Sequence, residues 1–269
     1  MTEFQILITI IVVLIILVFW GEWLSRPANG GRRATRCEIK AAAIEMAPFW
    51  IAMNDKDREL WKGGCPRGCI NSYLSAFRDF TAIEWFYLSR MVIPIADHHS
   101  GGEGLRQIPW ILAMMKDDSH VPMPHTMGPV IILTKNFFAL SDTHKKAEIL
   151  LHEKIHVYQR YYPHLCAPLF SDMGFTPVEE ELPAEIMTRR RSNPDVQRYY
   201  RWKDGKLLIK LYRDGAQRIT DAQTVLIDLE RGGVEEIDHE GMRLPEWICD
   251  DENPNEIMAA LLARKLISK

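Results

Sequence analysis

The most continuous apolar pattern lies at the start of the sequence. From Phe4 to Trp20 nearly every residue is apolar, with only two polar interruptions, and the run extends to Leu24. An α-helix of this length, at about 1.5 Å per residue, spans the hydrocarbon layer of a bilayer, which is about 30 Å thick. The pattern therefore predicts a single transmembrane helix within residues 1–25.

The charges around this run favour an anchor over a cleaved signal peptide. Glu3 precedes the run, no small-x-small cleavage site follows Trp20, and the positive charges all come after it. By the positive-inside rule we expect a single-pass membrane protein, held in the lipid bilayer by its N-terminal helix, with its globular part on the cytoplasmic side. Residues 26–36 would form a basic juxtamembrane linker and residues 37–269 one domain.

Helical and strand periods alternate through that domain. Apolar residues recur at helical spacing in 39–51, in 73–91 and from Ala147 to Tyr158, where Ser141 or Asp142 offers an N-cap. A compact apolar run at 130–133 predicts a strand. It could lie at a sheet edge open to an extended peptide or in a sheet interior, and the period alone does not distinguish these positions.

A β-meander is predicted in the second half of the chain. Asp-Gly pairs at 204–205 and 214–215 predict tight turns, and strand patterns occupy 206–213 and 225–229. A last helix is expected after Asn253, which can cap it, with Pro254 in its first position. The fold class predicted from these elements is α+β.

Two histidines in the helix that contains Ala147 to Tyr158 carry the strongest chemical signal. His152 and His156 are four positions apart, so both imidazoles lie on one helix face and can reach the same ion. Neutral imidazole is a good zinc ligand. Glu153, beside the first histidine, cannot easily share that ion, and it is placed to move a proton to and from a metal-bound water.

The sequence His152-Glu153-Lys154-Ile155-His156 resembles the HExxH motif of zincin-type zinc metallopeptidases. The resemblance implies a zincin-like domain, a Zn²⁺ cofactor, Glu153 as the catalytic base and a peptide or protein substrate. A metzincin would need glycine at position 159 and histidine at position 162, where this chain has Gln159 and Tyr162. The resemblance is therefore to the gluzincin class.

In gluzincins the third zinc ligand is a glutamate on a second helix, followed three positions later by a small residue. Glu256 with Ala259 matches that pattern, which makes Glu256 the expected third ligand beside His152 and His156. Glu185 and Glu181 remain competitors. Gln159 could hydrogen-bond behind the metal or be simply solvated. An oxyanion-stabilising residue is also expected, with Tyr199, Tyr200, Tyr212 and His239 as unranked candidates.

Composition and charge limit the other possibilities. A net charge of −3, a pI near 6.3 and no long basic run in the domain argue against a nucleic-acid partner. Five cysteines are too sparse for a secreted disulfide framework. Cys65 and Cys69 could be ordinary thiols, a small disulfide, half of a second metal site or a redox pair, and His98 and His99 lie in a polar loop where they are more often exposed.

The predicted function is thus membrane-anchored, zinc-dependent peptide hydrolysis by a zincin-like domain with an added β-meander. The alternative is a catalytically inactive membrane-anchored scaffold that keeps the zincin fold. An intact Glu153 argues against that alternative, because a purely structural metal site has no use for a general base.

Overall fold

The computed structural model describes residues 31–62, 64–116, 121–196, 198–203, 205–229, 233–236 and 253–268. These residues form an α+β structure with two five-stranded sheets, one mixed and one antiparallel. One apolar cluster contains residues of both sheets and of the longest helix, among them Leu112, Leu208 and Leu151.

The first sheet is assembled in the order β1-β3-β5-β4, with β2 pairing on β3. Its strands are β1 (Arg32–Arg33), β2 (Phe77–Arg78), β3 (Ile111–Met115), β4 (His125–Met127) and β5 (Val130–Leu133). β3 runs parallel to β1 and β5, whereas β4 is antiparallel to β5. β5, the apolar strand expected from the sequence, is therefore an interior strand. The short β4 lies at the end of the strand order.

The second sheet is antiparallel throughout, and its strands follow one another in chain order. They are β6 (Phe175–Pro177), β7 (Tyr200–Trp202), β8 (Lys206–Tyr212), β9 (Ala222–Asp228) and β10 (Gly233–Glu236). Gly205 and Gly215 have φ angles of +79° and +74°. Glycine adopts this left-handed region at little cost, which explains turns at both Asp-Gly pairs.

Twelve α-helices accompany the sheets in the described residues. They are α1 (Arg36–Glu45), α2 (Ala47–Ala52), α3 (Asp55–Leu60), α4 (Pro66–Ser75), α5 (Ala82–Tyr87), α6 (Ile93–His98), α7 (Glu103–Gln107), α8 (Lys135–Ala139), α9 (Thr143–Tyr161), α10 (Pro163–Asp172), α11 (Ala184–Arg189) and α12 (Pro254–Ile267). A π-helical segment, Leu88–Val92, connects α5 to α6.

The prediction of one long helix over residues 73–91 is wrong. Residues 73–91 do not form a single helix, because α4 ends at Ser75 and Phe77–Arg78 leaves to pair with β3. A new helix then starts at Thr81, whose side chain accepts a hydrogen bond from the Glu84 N–H while Glu84 bonds back to the Thr81 N–H. This capping box favours a fresh helix start over continuation of the previous one.

The residues that flank the central helix α9 explain where it begins and where it ends. Asp142 caps it by accepting hydrogen bonds from the N–H groups of His144 and Lys145. It ends at Tyr161, and Pro163 begins the next helix, where the missing proline N–H does no harm. α12 packs along α9, with Ile257 and Ala259 fully buried in the same apolar cluster as Leu151 and Ile155.

The membrane prediction requires a correction. Within the described ranges no helix combines the length and the apolar character needed to cross a membrane. The longest, α9, carries charged side chains along its 19 residues. The predicted transmembrane helix itself, residues 1–25, lies outside the described residues, as does the first part of the predicted linker. The membrane anchor, the lipid partner and the cytoplasmic placement are withdrawn, and the fold class is α+β with a mixed and an antiparallel sheet.

Candidate metal centre

Three side chains from two helices converge on one point. His152 and His156 lie one turn apart on α9, and Glu256 lies in the first turn of α12. The two histidine Nε2 atoms are 2.9 Å apart, and Glu256 Oε2 lies 3.3 Å from that of His152 and 3.2 Å from that of His156. Nearly equal edges make these three atoms a compact triangle.

The triangle has the dimensions of a zinc site. With bonds of about 2.0–2.1 Å, the ligand atoms of a tetrahedral zinc lie about 3.3 Å from one another. The observed separations approach that value without any rearrangement of the backbone. Across the part of the chain that the structure describes, this is the group of three histidine, cysteine or acidic side chains close enough to share an ion.

A buried amide fixes the orientation of His156. Gln159 Nε2 donates to the carbonyl oxygen of Asn255, at 2.8 Å, so Gln159 Oε1 is left to accept from His156 Nδ1, at 2.9 Å. A neutral imidazole that donates through Nδ1 presents a lone pair at Nε2. His156 is therefore held with its metal-binding nitrogen towards Glu256.

The third ligand candidate is held from the opposite side. Asn193 Nδ2 donates to Glu256 Oε1 at 2.7 Å, which leaves Oε2 facing the two histidines. The Asn193 side chain also accepts from the Asp195 N–H at 2.9 Å, so the turn at 193–195 shapes the group that orients Glu256. Supports of this kind behind a ligand commonly change metal affinity by about 10–100-fold when removed.

The same turn is anchored by a buried ion pair. Arg160 NH2 lies 2.9 Å from Asp195 Oδ1, and both side chains are buried. Thr126 of β4 donates its hydroxyl to the same carboxylate, and Arg160 also donates to the carbonyl oxygens of Gly128 and Pro194. The turn is thus tied both to α9 and to the edge of the first sheet.

The pKa values of His156 and Glu256 depend on each other. Burial lowers the pKa of His156, but the carboxylates of Glu256 and Asp195 outweigh it and raise the pKa to about 10. Burial would raise the pKa of Glu256, whereas His156 and His152 hold it well below its ordinary value. A positive charge between these three side chains is therefore favoured, whether a proton or a metal ion supplies it.

Glu153 lies beside the triangle but does not belong to it. Its side chain is buried, and Oε2 has no hydrogen-bond partner among the described residues. Burial, and after it the negative charge of Asp195, raise the pKa of Glu153 well above its ordinary value. Burial of a carboxyl group without a hydrogen-bond partner lowers the stability of the fold. Such groups are found most often at functional sites.

Lys154, between the two histidines in sequence, faces the opposite side of α9. Its ammonium group lies over the Trp110 ring, 4.1 Å from the centroid, and 3.8 Å from Asp97 Oδ1. Burial lowers the pKa of Lys154 to about 8. The residue therefore belongs to the core, and it leaves the other face of the helix to the histidines and Glu153.

A cavity of about 370 Å³ opens over this face. It contains the three converging side chains and Glu153, and three segments form its other walls: 121–125 before and into β4, the turn at 191–195, and the side of α12 that bears Ala260 and Ala263. Trp61 and Ile219 add apolar surface. A space of this size admits a small ligand beside the three converging side chains.

The other candidates expected from the sequence lie elsewhere. Glu181 and Glu185 are exposed, and neither lines the cavity. Tyr199 and Tyr200 do not line it, the Tyr212 hydroxyl donates to Asp57, and His239 lies outside the described residues. Cys65 and Cys69 are free thiols, and His98 and His99 contact each other edge to face at the end of α6.

Sequence reasoning missed the supports of the site. Asn193, Asp195 and Arg160 carry no motif, and their roles follow from tertiary contacts between α9, β4 and the turn at 193–195. The hydrogen bond from Gln159 to Asn255 is one of the two possibilities considered for that glutamine.

Comparison of the chain with protein-family models, with curated proteins and with solved structures found no match. The function must therefore be argued from the geometry and chemistry of the site itself.

Proposed function

We propose that this protein is a zinc-dependent hydrolase that cleaves peptide bonds at the centre formed by His152, His156 and Glu256. The observation that carries the proposal is the convergence of these three side chains within 3.3 Å of one another, beside the buried Glu153. Two histidines and a glutamate are a known ligand set of catalytic zinc, which keeps a fourth position open.

The ligand chemistry favours zinc over harder ions. Two imidazole nitrogens and one carboxylate oxygen suit zinc, whereas magnesium and calcium prefer oxygen ligands alone. The His156 orientation set by Gln159 supports metal binding, because it directs Nε2 towards Glu256, where a metal ion would take the place of the proton.

A bound zinc ion would lower the pKa of a water molecule towards neutrality and polarise a substrate carbonyl. Glu153 then has two tasks in the same cavity: to accept a proton from the attacking water, and to return it to the amine that leaves. Burial raises its pKa well above the ordinary value, and a higher pKa makes the carboxylate a stronger proton acceptor.

A peptide is the substrate that fits the walls best. The segment 121–124 borders the cavity and leads into β4, the strand at the end of the first sheet. The edge of β4 opposite β5 carries no strand among the described residues, and such an edge can hydrogen-bond an extended peptide, as in strand addition. Trp61 and Ile219 would contact an apolar substrate side chain.

The first test is the metal content of the full-length protein after purification and exposure to zinc. We expect about one zinc per chain, lost in Glu256→Ala and retained in the matched control Glu185→Ala, because the latter glutamate is exposed and remote from the histidines. A folded protein that binds no zinc, or one in which both variants bind equally, contradicts the proposed centre.

The second part of the test separates catalysis from metal binding. Glu153→Gln should keep the zinc and lower the rate of peptide cleavage by at least about 100-fold, which is the lower limit expected for loss of a general base. A diverse peptide mixture analysed by mass spectrometry supplies the substrates. Stoichiometric zinc with no cleavage by the unaltered protein would instead favour the inactive scaffold.

A further inference from the structure

A second cavity of about 360 Å³ lies on the other side of His156. Its walls are the last turn of α9, one face of α10, the first residues of α12 and the segment from Asp195 to Tyr200. His156 and Asp195 line both cavities, but Glu153 and Glu256 line only the first. Of the three converging side chains, the second cavity therefore shares only His156 with the first.

Hydrogen-bond donors dominate this second cavity. Arg160, Arg198, His164 and Tyr200 all line it. Arg160 Nε is buried and has no hydrogen-bond partner within the described ranges. The Arg198 guanidinium and the Tyr200 hydroxyl have no hydrogen bond recorded with the described residues either, although Arg198 is close enough to lower the pKa of Tyr200 against the effect of burial.

The one acidic side chain of the cavity is already neutralised. Asp195 accepts hydrogen bonds from Arg160 and from Thr126, so its charge is matched by Arg160. Arg198 is left as a cation without a counter-charge in the described structure. An exposed guanidinium without a counter-charge, in a concave site whose acidic side chain is already paired, is a feature expected of a pocket for an anion.

Helix ends add to the positive potential. α10 begins at Pro163 and α12 at Pro254, and residues of both first turns, His164 and Asn255, line the cavity. The positive ends of two helix dipoles thus face it, against the negative end of α9 alone. The summed helix dipoles therefore favour a negatively charged ligand.

We propose that this cavity binds a small oxyanion, a phosphate group or a carboxylate, through Arg198 and Tyr200. The site does not depend on a metal ion, and it would exist in a protein with no hydrolytic activity. A planar guanidinium matches two oxygens of either group, and the tyrosine hydroxyl supplies a third donor.

The experiment is calorimetric titration of the full-length, metal-free protein with inorganic phosphate and, separately, with acetate. Ionic strength is kept constant with sodium chloride. Arg198→Gln removes the unmatched charge, and Tyr200→Phe removes the hydroxyl while its ring still packs on Phe170. Arg218→Gln is the matched control, because Arg218 is a surface arginine paired with Asp221 and does not line the cavity.

Saturable binding of either anion, weakened about tenfold or more by Arg198→Gln, several-fold by Tyr200→Phe and not by Arg218→Gln, is the expected result. Phosphate alone would identify a phosphate group as the ligand, and acetate alone a carboxylate. Failure of both anions to bind beyond chloride, or equal weakening in Arg198→Gln and Arg218→Gln, would overturn the site. Because the protein is metal-free, neither outcome depends on the proposed zinc centre.

Discussion

The side chain of Gln159 connects two ligands of the proposed metal centre. It accepts from His156 through one atom and donates through the other to Asn255, the residue just before Glu256. An amide presents a donor and an acceptor at the two ends of one rigid group, so the position of α12 and the orientation of His156 are set together.

Replacement of Gln159 tests this role. Gln159→Leu should lower zinc affinity by about 10–100-fold, because His156 Nδ1 loses its acceptor and the imidazole is free to change tautomer and orientation. Gln159→Glu keeps an acceptor at that atom and should stay closer to the unaltered protein. Zinc titration with a competing chelator measures both. Equal losses in the two variants would mean that the glutamine acts only through packing.

Residue types and local spacing were enough to predict His152, Glu153 and His156 as site residues, because a helix of known period fixes their relative positions. Only the resemblance to gluzincins favours Glu256 over Glu181 and Glu185 from the sequence, and the structure places Glu256 beside the histidines while the other two are exposed. Asn193 and Arg160 could not have been found, since their partners are more than thirty residues away in sequence.

At the scale of elements, the contact between α9 and α12 brings the candidate ligands together. Ala259 is fully buried in this interface, within the cluster that includes Leu151 and Ile155. A methyl group lets the two helix backbones approach closely, and Glu256, one turn earlier on the same helix, is carried to the histidines.

Enlarging that residue should separate the helices. We expect Ala259→Leu to lower the free energy of unfolding by about 1–3 kcal/mol through overpacking, and also to weaken zinc binding, because Glu256 moves with its helix. Lys265→Leu places the same side chain at an exposed position of α12 and serves as control. Chemical denaturation and zinc titration are the measurements. A loss of stability with unchanged zinc affinity would contradict the positioning role.

The sequence predicts the local features of these elements but not the strand pairing between distant segments. The caps of α9 and α12, at Asp142 and Asn253, were among those expected, because capping is a local interaction between neighbouring residues. The helix expected at 73–91 failed because β2 gains its partner from β3, more than thirty residues later. Strand pairing depends on residues that are distant in sequence, so the helical spacing of apolar residues does not predict it.

At the scale of the whole molecule, one buried carboxylate ties distant segments to the site. Asp57 on α3 accepts from the Ser192 N–H at 3.1 Å, from the Ser192 hydroxyl at 2.6 Å and from the Tyr212 hydroxyl at 2.9 Å. Asn54, the cap of the same helix, donates to the carbonyl oxygens of Met187 and Arg190. α3 therefore holds the chain that leads directly into Asn193.

Removal of the Asp57 carboxylate should lower both the stability of the fold and the zinc affinity of the proposed centre. Asp57→Ala removes the buried acceptor of the hydrogen bonds from Ser192 and Tyr212, and we expect a loss of about 3 kcal/mol or more in the free energy of unfolding. Zinc affinity should fall as well, because Asn193 follows Ser192. Asp55→Ala, an exposed carboxylate on the same helix, should change stability by less than about 1 kcal/mol. Urea denaturation and zinc titration compare the two, and unchanged zinc affinity in folded Asp57→Ala would refute the coupling.

The separation of the candidate ligands along the chain has a consequence for biosynthesis. His156 and Glu256 are 100 positions apart, and the whole second sheet is encoded between them. At about 5–20 residues per second, a ribosome needs roughly 5–20 s to add that stretch. During this interval the nascent chain carries both histidines and Glu153 but only two of the three candidate ligands. The proposed centre can thus be completed only after the segment that bears Glu256 has left the ribosome and docked on α9.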